Sequence, residues 1–272
     1  MPPTLAHQLH SILHAIGDAL MGLIEGANLD KVYSTATGPL VALTNVSFTI
    51  NEGEFISLVG PSGCGKSTLL SILGGLEQKT DGDLILAGQH HDAPRRDIGM
   101  MFQTSVLFPW RTIRQNVRLP GEILGLDKKQ QADRTDELLD LVGLNGFGER
   151  FPGELSGGMR QRVALARLLA HDPRVLLMDE PFGALDEFTR ETMNVELLRI
   201  WEKTGKTVVF VTHNIGEAVF LSDRIFVMTP RPGRLEGIVE VDLPRPRTTE
   251  VMRDPRYTEH VYDIRRMLGV DH

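Results

Sequence analysis

The stretch Gly60-Pro61-Ser62-Gly63-Cys64-Gly65-Lys66-Ser67-Thr68 decides the fold of this 272-residue chain. Its glycines permit backbone torsions that point successive N–H groups at a bound phosphate. Lys66 supplies a mobile positive charge for the outer phosphates, and the Ser67 hydroxyl suits magnesium. The residues before it, 54–59, predict a buried strand and those after it, 67–73, a helix. The stretch therefore predicts a nucleotide site between strand and helix, the alternative being a glycine-rich turn that only connects the two elements.

Two carboxylates follow a second predicted strand. The apolar run 175–178 predicts a buried strand that ends in Asp179 and Glu180 at a sheet edge. Asp179 would hold magnesium directly or through water, and Glu180 would polarise an attacking water. Taken alone, adjacent acids are more often a charge pair at a helix start. The phosphate-binding stretch in the same chain favours the catalytic interpretation.

A second glycine-rich motif, Leu155-Ser156-Gly157-Gly158-Met159-Arg160-Gln161, opens a predicted helix over residues 159–170. A helix N-terminus with serine and glycine before it is another anion-binding structure. The chain therefore has two predicted anion sites, which suggests that one nucleotide meets both across a dimer.

These motifs, in this order, resemble the ATP-binding subunit of an ABC transporter from about Asn28 to the C-terminus. The resemblance implies ATP and Mg²⁺ as cofactors and ATP hydrolysis as the reaction. Gln103 is similar to the family's Q-loop glutamine, which reaches magnesium or the water, and His213, after the apolar run 207–212, to its switch histidine. The catalytic residues are then Glu180, His213 and Gln103, and the magnesium ligands are Ser67, Gln103 and Asp179.

The resemblance also implies an ATP-binding set. Tyr33 stands where the family stacks an aromatic ring on adenine, Asp186 belongs to the D-loop, and the Ser156 motif contacts the γ-phosphate of ATP held by the opposite subunit. The implied nucleotide-binding residues are Tyr33, Gly60, Pro61, Ser62, Gly63, Cys64, Gly65, Lys66, Ser67, Thr68, Ser156, Gly157, Gly158 and Asp186. Three have ordinary alternatives: Tyr33 as a core strand residue, His213 as a helix cap or core residue, and Gln103 as a solvated loop residue.

The expected fold is α/β, of the P-loop NTPase and ABC ATPase type. It has a mainly parallel sheet core, an antiparallel β subdomain over about 28–50 and a helical subdomain over about 104–165. The expected organisation is an N-terminal amphipathic helix extension (1–27), an ABC ATPase domain (28–235) and a C-terminal extension (236–272). The extension after residue 235 contains an extended, proline-broken segment and a short helix ending near Leu268.

Residues 5–24 predict an amphipathic helix with aliphatic side chains on one face. We expect this helix to pack on its own domain or on the transporter, with binding to a membrane surface as the second interpretation. His10, His14 and Asp18 have a spacing that could bind a metal, but solvated polar side chains are the better interpretation.

Composition limits the partners. The net charge is −7 and the pI is near 5.7, so no overall positive field recruits nucleic acid. The single cysteine, Cys64, excludes an intrachain disulfide and fits a reducing compartment. If its thiol is accessible, alkylation should block ATP binding. No apolar run of membrane-spanning length is present, so the channel is expected to be another polypeptide.

The resemblance implies integral membrane permease subunits, a second ATPase subunit (the same chain or a homologue) and, indirectly, a substrate-binding protein. The protein would lie peripherally at the cytoplasmic face of the bacterial inner membrane. The apolar segment 106–110 is the expected docking site for the permease, although core packing is the alternative for Phe108 and Trp110.

Phe108-Pro109-Trp110 and Thr229-Pro230-Arg231-Pro232-Gly233 resemble the importer branch for nitrate, sulfonate, taurine and related small anions, with bicarbonate and pyrimidine-type nutrients in neighbouring members. The transported ligand itself is not encoded here. The rival functions are a soluble ABC ATPase acting on ribosomes or DNA, which would require a second cassette or long coiled coils, and a P-loop kinase or inactive nucleotide-binding module.

Overall fold

The computed structural model describes residues 22–270. In chain order its strands are β1 (Ile24–Thr35), β2 (Gly38–Ile50), β3 (Phe55–Val59), β4 (Asp81–Leu86), β5 (Gln89–His90), β6 (Ile98–Met101), β7 (Val175–Asp179), β8 (Thr207–Val211), β9 (Arg224–Met228) and β10 (Leu235–Glu240). Its α-helices are α1 (Lys66–Leu73), α2 (Ile113–Ile123), α3 (Lys128–Leu141), α4 (Gly157–Leu169), α5 (Glu187–Thr204), α6 (Ile215–Leu221) and α7 (Pro255–Met267). Short 3-10 helices cover Pro152–Glu154 and Thr249–Arg253.

The central sheet has six strands in the order β10-β9-β3-β8-β7-β6. Neighbouring strands from β9 to β6 run parallel, and β10 is antiparallel to β9. All residues of β3 and β8 are buried, as expected for parallel strands covered on both faces. This topology confirms the predicted α/β fold with a mainly parallel core, and it brings the C-terminal ends of β3, β7 and β8 to one edge.

A second sheet, in the order β2-β1-β4-β5, is antiparallel throughout. β1 begins at Ile24, which pairs with Ile50 on one side and Leu86 on the other. The predicted helix over 5–24 is therefore wrong at its last residue, because pairing with two strands places Ile24 in a sheet. The rest of that helix, with His10, His14 and Asp18, lies outside the described residues apart from Gly22 and Leu23, which form no helix.

The helices α2, α3 and α4 pack together between β6 and β7 along the chain, where the sequence predicts a helical subdomain. Asn116 of α2 is fully buried and organises the segment before the helix. Its amide donates to the carbonyl oxygens of Phe108 and Arg111, while its Oδ1 accepts from the Phe108 N–H at 2.8 Å. This network fixes the chain on either side of Trp110, whose side chain remains 70% exposed.

The C-terminal segment packs on the central sheet. The boundaries predicted at 27/28 and 235/236 fall inside β1 and β10. Arg247 is buried and donates to five backbone carbonyl oxygens, those of Val219, Phe220, Ser222, Val241 and Leu243. Burial lowers the pKa of Arg247 to about 10. The guanidinium thus joins the end of α6 to the proline-broken segment after β10.

None of the helices within residues 22–270 has the length and apolarity needed to cross a bilayer.

Candidate active site

The phosphate-binding loop lies between β3 and α1, where the sequence predicts it. Gly63 and Gly65 have φ values of +72° and +107°, a region that side chains disfavour. A Cβ on Gly65 would also lie 2.6 Å from Leu43 Cδ2. Because Gly65 is the N-cap of α1 and has no side chain, no capping group covers the N–H groups of the first turn. These donors and the helix dipole favour an anion at this position.

Lys66 is buried within the loop, with 6% of its surface exposed. Its ammonium donates to the carbonyl oxygens of Gly60, at 2.8 Å, and Pro61, at 3.0 Å. Two backbone carbonyl oxygens therefore already hold the ammonium in the loop. A bound phosphate would replace these acceptors or share the ammonium with them.

Ser67 and Asp179 meet across the site. The Ser67 hydroxyl donates to Asp179 Oδ1 at 3.0 Å, which joins the start of α1 to the end of β7. Burial raises the pKa of Asp179, and the neighbouring Glu180 carboxylate raises it further, while the Ser67 hydrogen bond acts in the opposite direction. Ser67 and Asp179 offer two oxygen ligands of the kind that a divalent cation prefers. The charge of such a cation would also offset the cost of burying the ionised Asp179 carboxylate. The residues present therefore fit Mg²⁺.

Glu180 and His213 form a second pair. Glu180 has a φ of +44°, in the left-handed region, and its N–H donates to Val211 O at 3.0 Å. Its Oε2 lies 3.3 Å from His213 Nδ1. An unusual backbone conformation at the end of β7 thus places the carboxylate beside the histidine that follows β8.

Gln103 approaches the same carboxylate. A Cβ on Gly183 would lie 3.4 Å from Gln103 Nε2 and 3.6 Å from Glu180 Oε2, so both side chains flank this glycine. The Gln103 carbonyl accepts a hydrogen bond from Gln161 Nε2 at 3.0 Å. Gln103 and Glu180 therefore lie near one glycine, Glu180 contacts His213, and Gln161 connects the backbone of Gln103 to α4.

A cavity of about 360 Å³ opens above the phosphate-binding loop. It is lined by Tyr33, Leu40, Ala42, Ser62, Gly63, Gly65, Lys66, Ser67, Thr68, Glu180 and Arg231. The Tyr33 ring is half-buried, and Lys31 Nζ lies 4.6 Å from its centroid. Tyr33 is thus a wall of the cavity rather than a core residue, with a cation on its ring.

The Ser156 motif and Asp186 lie elsewhere. Ser156 caps α4 by accepting from the Met159 N–H at 3.3 Å. Asp186 caps α5 and accepts from the Thr189 N–H and hydroxyl, hydrogen bonds that hold its pKa below the usual range. Ser156, Gly157, Gly158 and Asp186 are all outside the lining of the cavity in the described part of the chain. Within one chain, the two predicted anion sites are not combined.

The sequence profile of the ABC transporter family matches residues 43–183, which is more than half of the chain and includes the phosphate-binding loop, the Ser156 motif and both carboxylates. The chain belongs to the ABC transporter family.

Relatives of this ABC protein are similar over most of their length. The aliphatic sulfonates import ATP-binding protein of Bacillus cereus is 45% identical over 220 residues, which cover 81% of this chain and 86% of the relative. The nitrate import ATP-binding protein of Synechocystis sp. is 43% identical over 251 residues, or 90% and 94% of the two chains. A solved ATP-binding cassette, dimeric and bound to ADP and Pi, matches with a TM-score of 0.71 and 36% identity, covering 80% and 98%. This ABC protein is therefore an ATPase that binds nucleotide.

Cys64 of this ABC ATPase does not meet the condition of the alkylation test, which is an accessible thiol. Its thiol is 1% exposed, and a Cβ on Gly60 would lie 2.9 Å from its sulfur. The proposed alkylation experiment requires an accessible thiol, which this conformation does not offer. Any contact of Cys64 with a phosphate would therefore come from its backbone.

Sequence reasoning missed several residues of the ABC ATPase cavity. Leu40 and Ala42 of β2 and Arg231 after β9 contribute to its wall. The register of β2 against β1 places Leu40 opposite Tyr33, so pairing could have suggested this residue. The sequence gives no local signal for Arg231 at this site, because its contact, Gly63, is 168 positions away.

Proposed function

We propose that this ABC ATPase is the ATP-hydrolysing subunit of a bacterial importer for a small anion such as nitrate, sulfonate, taurine or bicarbonate. The observation that carries the ATPase chemistry is the meeting of the Ser67–Asp179 and Glu180–His213 pairs beside one phosphate-binding loop. The names of the relatives, which import aliphatic sulfonates and nitrate, support the importer class.

Phosphate binding and water activation fall to different residues. The N–H groups of the loop and the Lys66 ammonium bind the phosphate oxygens, and Tyr33 stacks on the adenine. Ser67, Asp179 and Gln103 would hold Mg²⁺, which when bound neutralises charge on the phosphate oxygens. Glu180 orients and polarises the attacking water. His213 lies beside Glu180 and would contact the γ-phosphate. Positioning and charge stabilisation by these groups lower the barrier.

Two cassettes close head-to-tail on two ATP molecules. Each ATP is bound by Lys66 of one subunit and by Ser156, Gly157 and Gly158 of the other, with Asp186 near the contact. The separation of the Ser156 motif from its own cavity supports this arrangement, as does the dimeric form of the solved relative. ATP closes the dimer and hydrolysis opens it again.

The permease subunits dock on the helical subdomain. A second cavity, of about 430 Å³, lies between β6 and this subdomain and is lined by apolar side chains such as Met100, Leu119 and Ile123. Before α2, Trp110 is 70% exposed and its ring centroid lies 5.1 Å from that of Phe108. Core packing therefore does not account for Trp110. An apolar segment of an integral membrane permease fits these surfaces.

Docking on a permease would place the ATPase peripherally at the cytoplasmic face of the inner membrane. A substrate-binding protein would act on it indirectly, through the permease. A net charge of −7 supports the absence of a nucleic-acid partner.

The test is Glu180→Gln, which keeps the shape of the side chain and removes its charge. ATPase activity should fall about 100-fold or more, as for loss of a general base, while ATP affinity is retained and ATP drives a stable dimer. Glu202→Gln changes the same charge on the exposed side of α5 and should behave as wild type. Steady-state hydrolysis by Glu180→Gln at the wild-type rate would contradict the assignment.

The same variant tests the partners. Glu180→Gln loaded with ATP is recovered from its native membranes and the proteins that accompany it are identified. An integral membrane permease is the expected partner. Ribosomal proteins or DNA in place of a permease would overturn the transport function and leave the ATPase chemistry intact.

A further inference from the structure

The loop between β9 and β10, Thr229–Arg234, packs against the nucleotide site. Gly233 bridges to β2: its N–H donates to Ala42 O at 2.9 Å, and its carbonyl accepts from the Thr44 N–H at 3.0 Å. A Cβ on Gly233 would lie 1.9 Å from Cys64 O, so the loop backbone touches the phosphate-binding loop directly. The 229–234 loop therefore contacts both β2 and the phosphate-binding loop, which each contribute to the cavity wall.

The loop is also closed on itself. The Thr229 hydroxyl accepts from the Arg234 N–H at 3.0 Å, and the Thr229 N–H donates to Arg234 O at 2.9 Å. A loop fixed at both ends in this way holds the side chain at its tip, Arg231, in a defined place.

Arg231 reaches the phosphate-binding loop from that tip. Its Nε donates to Gly63 O at 3.2 Å, and a Cβ on Gly63 would lie 2.9 Å from its Nη2. The side chain lines the same cavity as Lys66 and Tyr33. The Glu180 carboxylate, which also lines the cavity, contacts His213 rather than Arg231.

We propose that Arg231 is a nucleotide-binding residue, whose guanidinium binds the phosphate chain of the ATP held at the Lys66 loop. The inference rests on the proposed binding of ATP at this cavity and adds a residue to it. A guanidinium has five N–H donors, and the contact with Gly63 uses Nε, so the four Nη donors remain for phosphate oxygens. Two of them can bind one phosphate in the bidentate manner that favours arginine over lysine.

The negative charges around the cavity favour a second cation such as Arg231. ATP brings three to four negative charges to a chain whose net charge is −7, and Asp179 and Glu180 lie beside the phosphates. Lys66 is the cation of the phosphate-binding loop itself, and it is partly committed to the carbonyl oxygens of Gly60 and Pro61. A second cation on the cavity wall attracts the polyphosphate and lowers the repulsion that it meets.

The experiment is titration calorimetry of ATP into the full chain, for wild type, Arg231→Gln, Arg231→Lys and Arg234→Gln. Arg234 is the matched control, because it is an exposed arginine of the same loop that does not line the cavity. Arg231→Gln should weaken ATP binding about tenfold at low salt, as expected for a hydrogen bond between charged groups that is partly exposed. The ATP affinity of Arg231→Lys should lie between those of wild type and Arg231→Gln. The affinity of Arg234→Gln should stay within about twofold of wild type.

Salt separates a phosphate contact from a structural role. If Arg231 binds phosphate, the deficit of Arg231→Gln should shrink between about 50 and 200 mM salt, because ions screen an exposed charge pair. A deficit that does not change with salt and comes with a lower Tm of the nucleotide-free protein would show that Arg231 only fastens the loop to Gly63. That result would overturn the inference.

Other outcomes are equally decisive. Wild-type-like ATP affinity in Arg231→Gln would overturn the inference, including the case in which the variant binds ATP but fails to dimerise, which would place Arg231 at the contact between cassettes. The Lys66→Ala variant distinguishes a failure of the Arg231 inference from a failure of the proposed nucleotide site. If the wild-type chain binds ATP and Lys66→Ala does not, the nucleotide site stands whatever Arg231 does. If both bind equally, or neither binds, the nucleotide site itself is wrong.

Discussion

The two glycine-containing helix starts of this chain, at α1 and α4, differ in what satisfies their N–H groups. At α1 the N-cap is Gly65, which has no side chain to offer, so the first turn is left for a ligand. At α4 the N-cap is Ser156, whose hydroxyl accepts from the Met159 N–H at 3.3 Å. The first turn of α1 therefore has N–H groups that no side-chain cap satisfies, whereas Ser156 satisfies one such group of α4. Similar motifs thus give an uncapped helix start in one place and a capped one in the other.

The first prediction compares alanine at the two starts. Gly65→Ala should lower stability by about 1–3 kcal/mol, because φ is +107° and the new Cβ would lie 2.6 Å from Leu43 Cδ2. It should also weaken ATP binding by about 100-fold or more, since the loop must move. Gly157→Ala meets only Leu185 Cδ2, at an ordinary 3.5 Å, and should leave both the Tm and the ATP affinity of a single chain near wild type. Thermal unfolding and calorimetry measure the pair.

Equal effects of the two substitutions would contradict the distinction between the helix starts. A large loss of ATP affinity in Gly157→Ala, measured where the protein is monomeric, would show that the α4 start belongs to the same chain's nucleotide site.

The comparison also shows what sequence could predict. The spacing of Lys66, Ser67, Asp179 and Glu180 relative to apolar runs was enough to place β3, α1 and β7, because parallel strands are apolar throughout and local glycines determine the loop. The predicted helix at 159–170 is observed as α4, which begins at Gly157, two residues earlier. These features depend on local sequence.

Features that depend on distant contacts were less accessible. Ile24 continues a helical pattern, yet it lies in β1 because Ile50 and Leu86 pair with it. The left-handed φ of Glu180 arises at the junction of β7 with the following loop, and no residue type in the sequence predicts it. The place of Arg231 depends on the 229–234 loop resting on the phosphate-binding loop.

A second prediction concerns the cap itself. Ser156→Ala removes the hydroxyl that caps α4 and should cost about 1 kcal/mol of stability, or a few degrees of Tm. ATP binding by a single chain should not change, whereas ATPase activity should fall because the same hydroxyl is proposed to serve the partner's ATP. Thermal unfolding measures the stability, calorimetry the ATP affinity, and steady-state hydrolysis the ATPase activity.

The control is Thr112→Ala, at the N-cap of α2 in the same subdomain. Thr112 accepts from the Gln115 N–H at 3.3 Å, the same distance as the Ser156 cap. It should lose a similar amount of stability and keep its ATPase activity. If the two variants lose activity in parallel, capping alone explains the role of Ser156, and the proposed contact with a second nucleotide is wrong.

The smallest expected effect is a pH dependence with opposite sign at two aspartates: Asp179, which accepts from Ser67 at the start of α1, and Asp186, the N-cap of α5. Burial raises the pKa of Asp179 above its ordinary value of 3.8, so in the absence of nucleotide and Mg²⁺ this residue reduces stability as the pH rises from 3.8 through its folded pKa. Asp179→Asn should therefore raise the Tm at pH 7 by roughly 1–3 °C, a gain that disappears near pH 4.

Hydrogen bonds from Thr189 lower the pKa of Asp186. Its contribution to stability is therefore present above pH 3.8 and is lost as the pH falls through its folded pKa. Asp186→Asn should accordingly lower the Tm at pH 7 and approach wild type in acid. Tm values measured from about pH 2 to pH 8 give both signs, because the contribution of Asp186 is lost only below pH 3.8. A Tm for Asp179→Asn below that of wild type at pH 7 would show that the carboxylate is stabilised before any cation arrives.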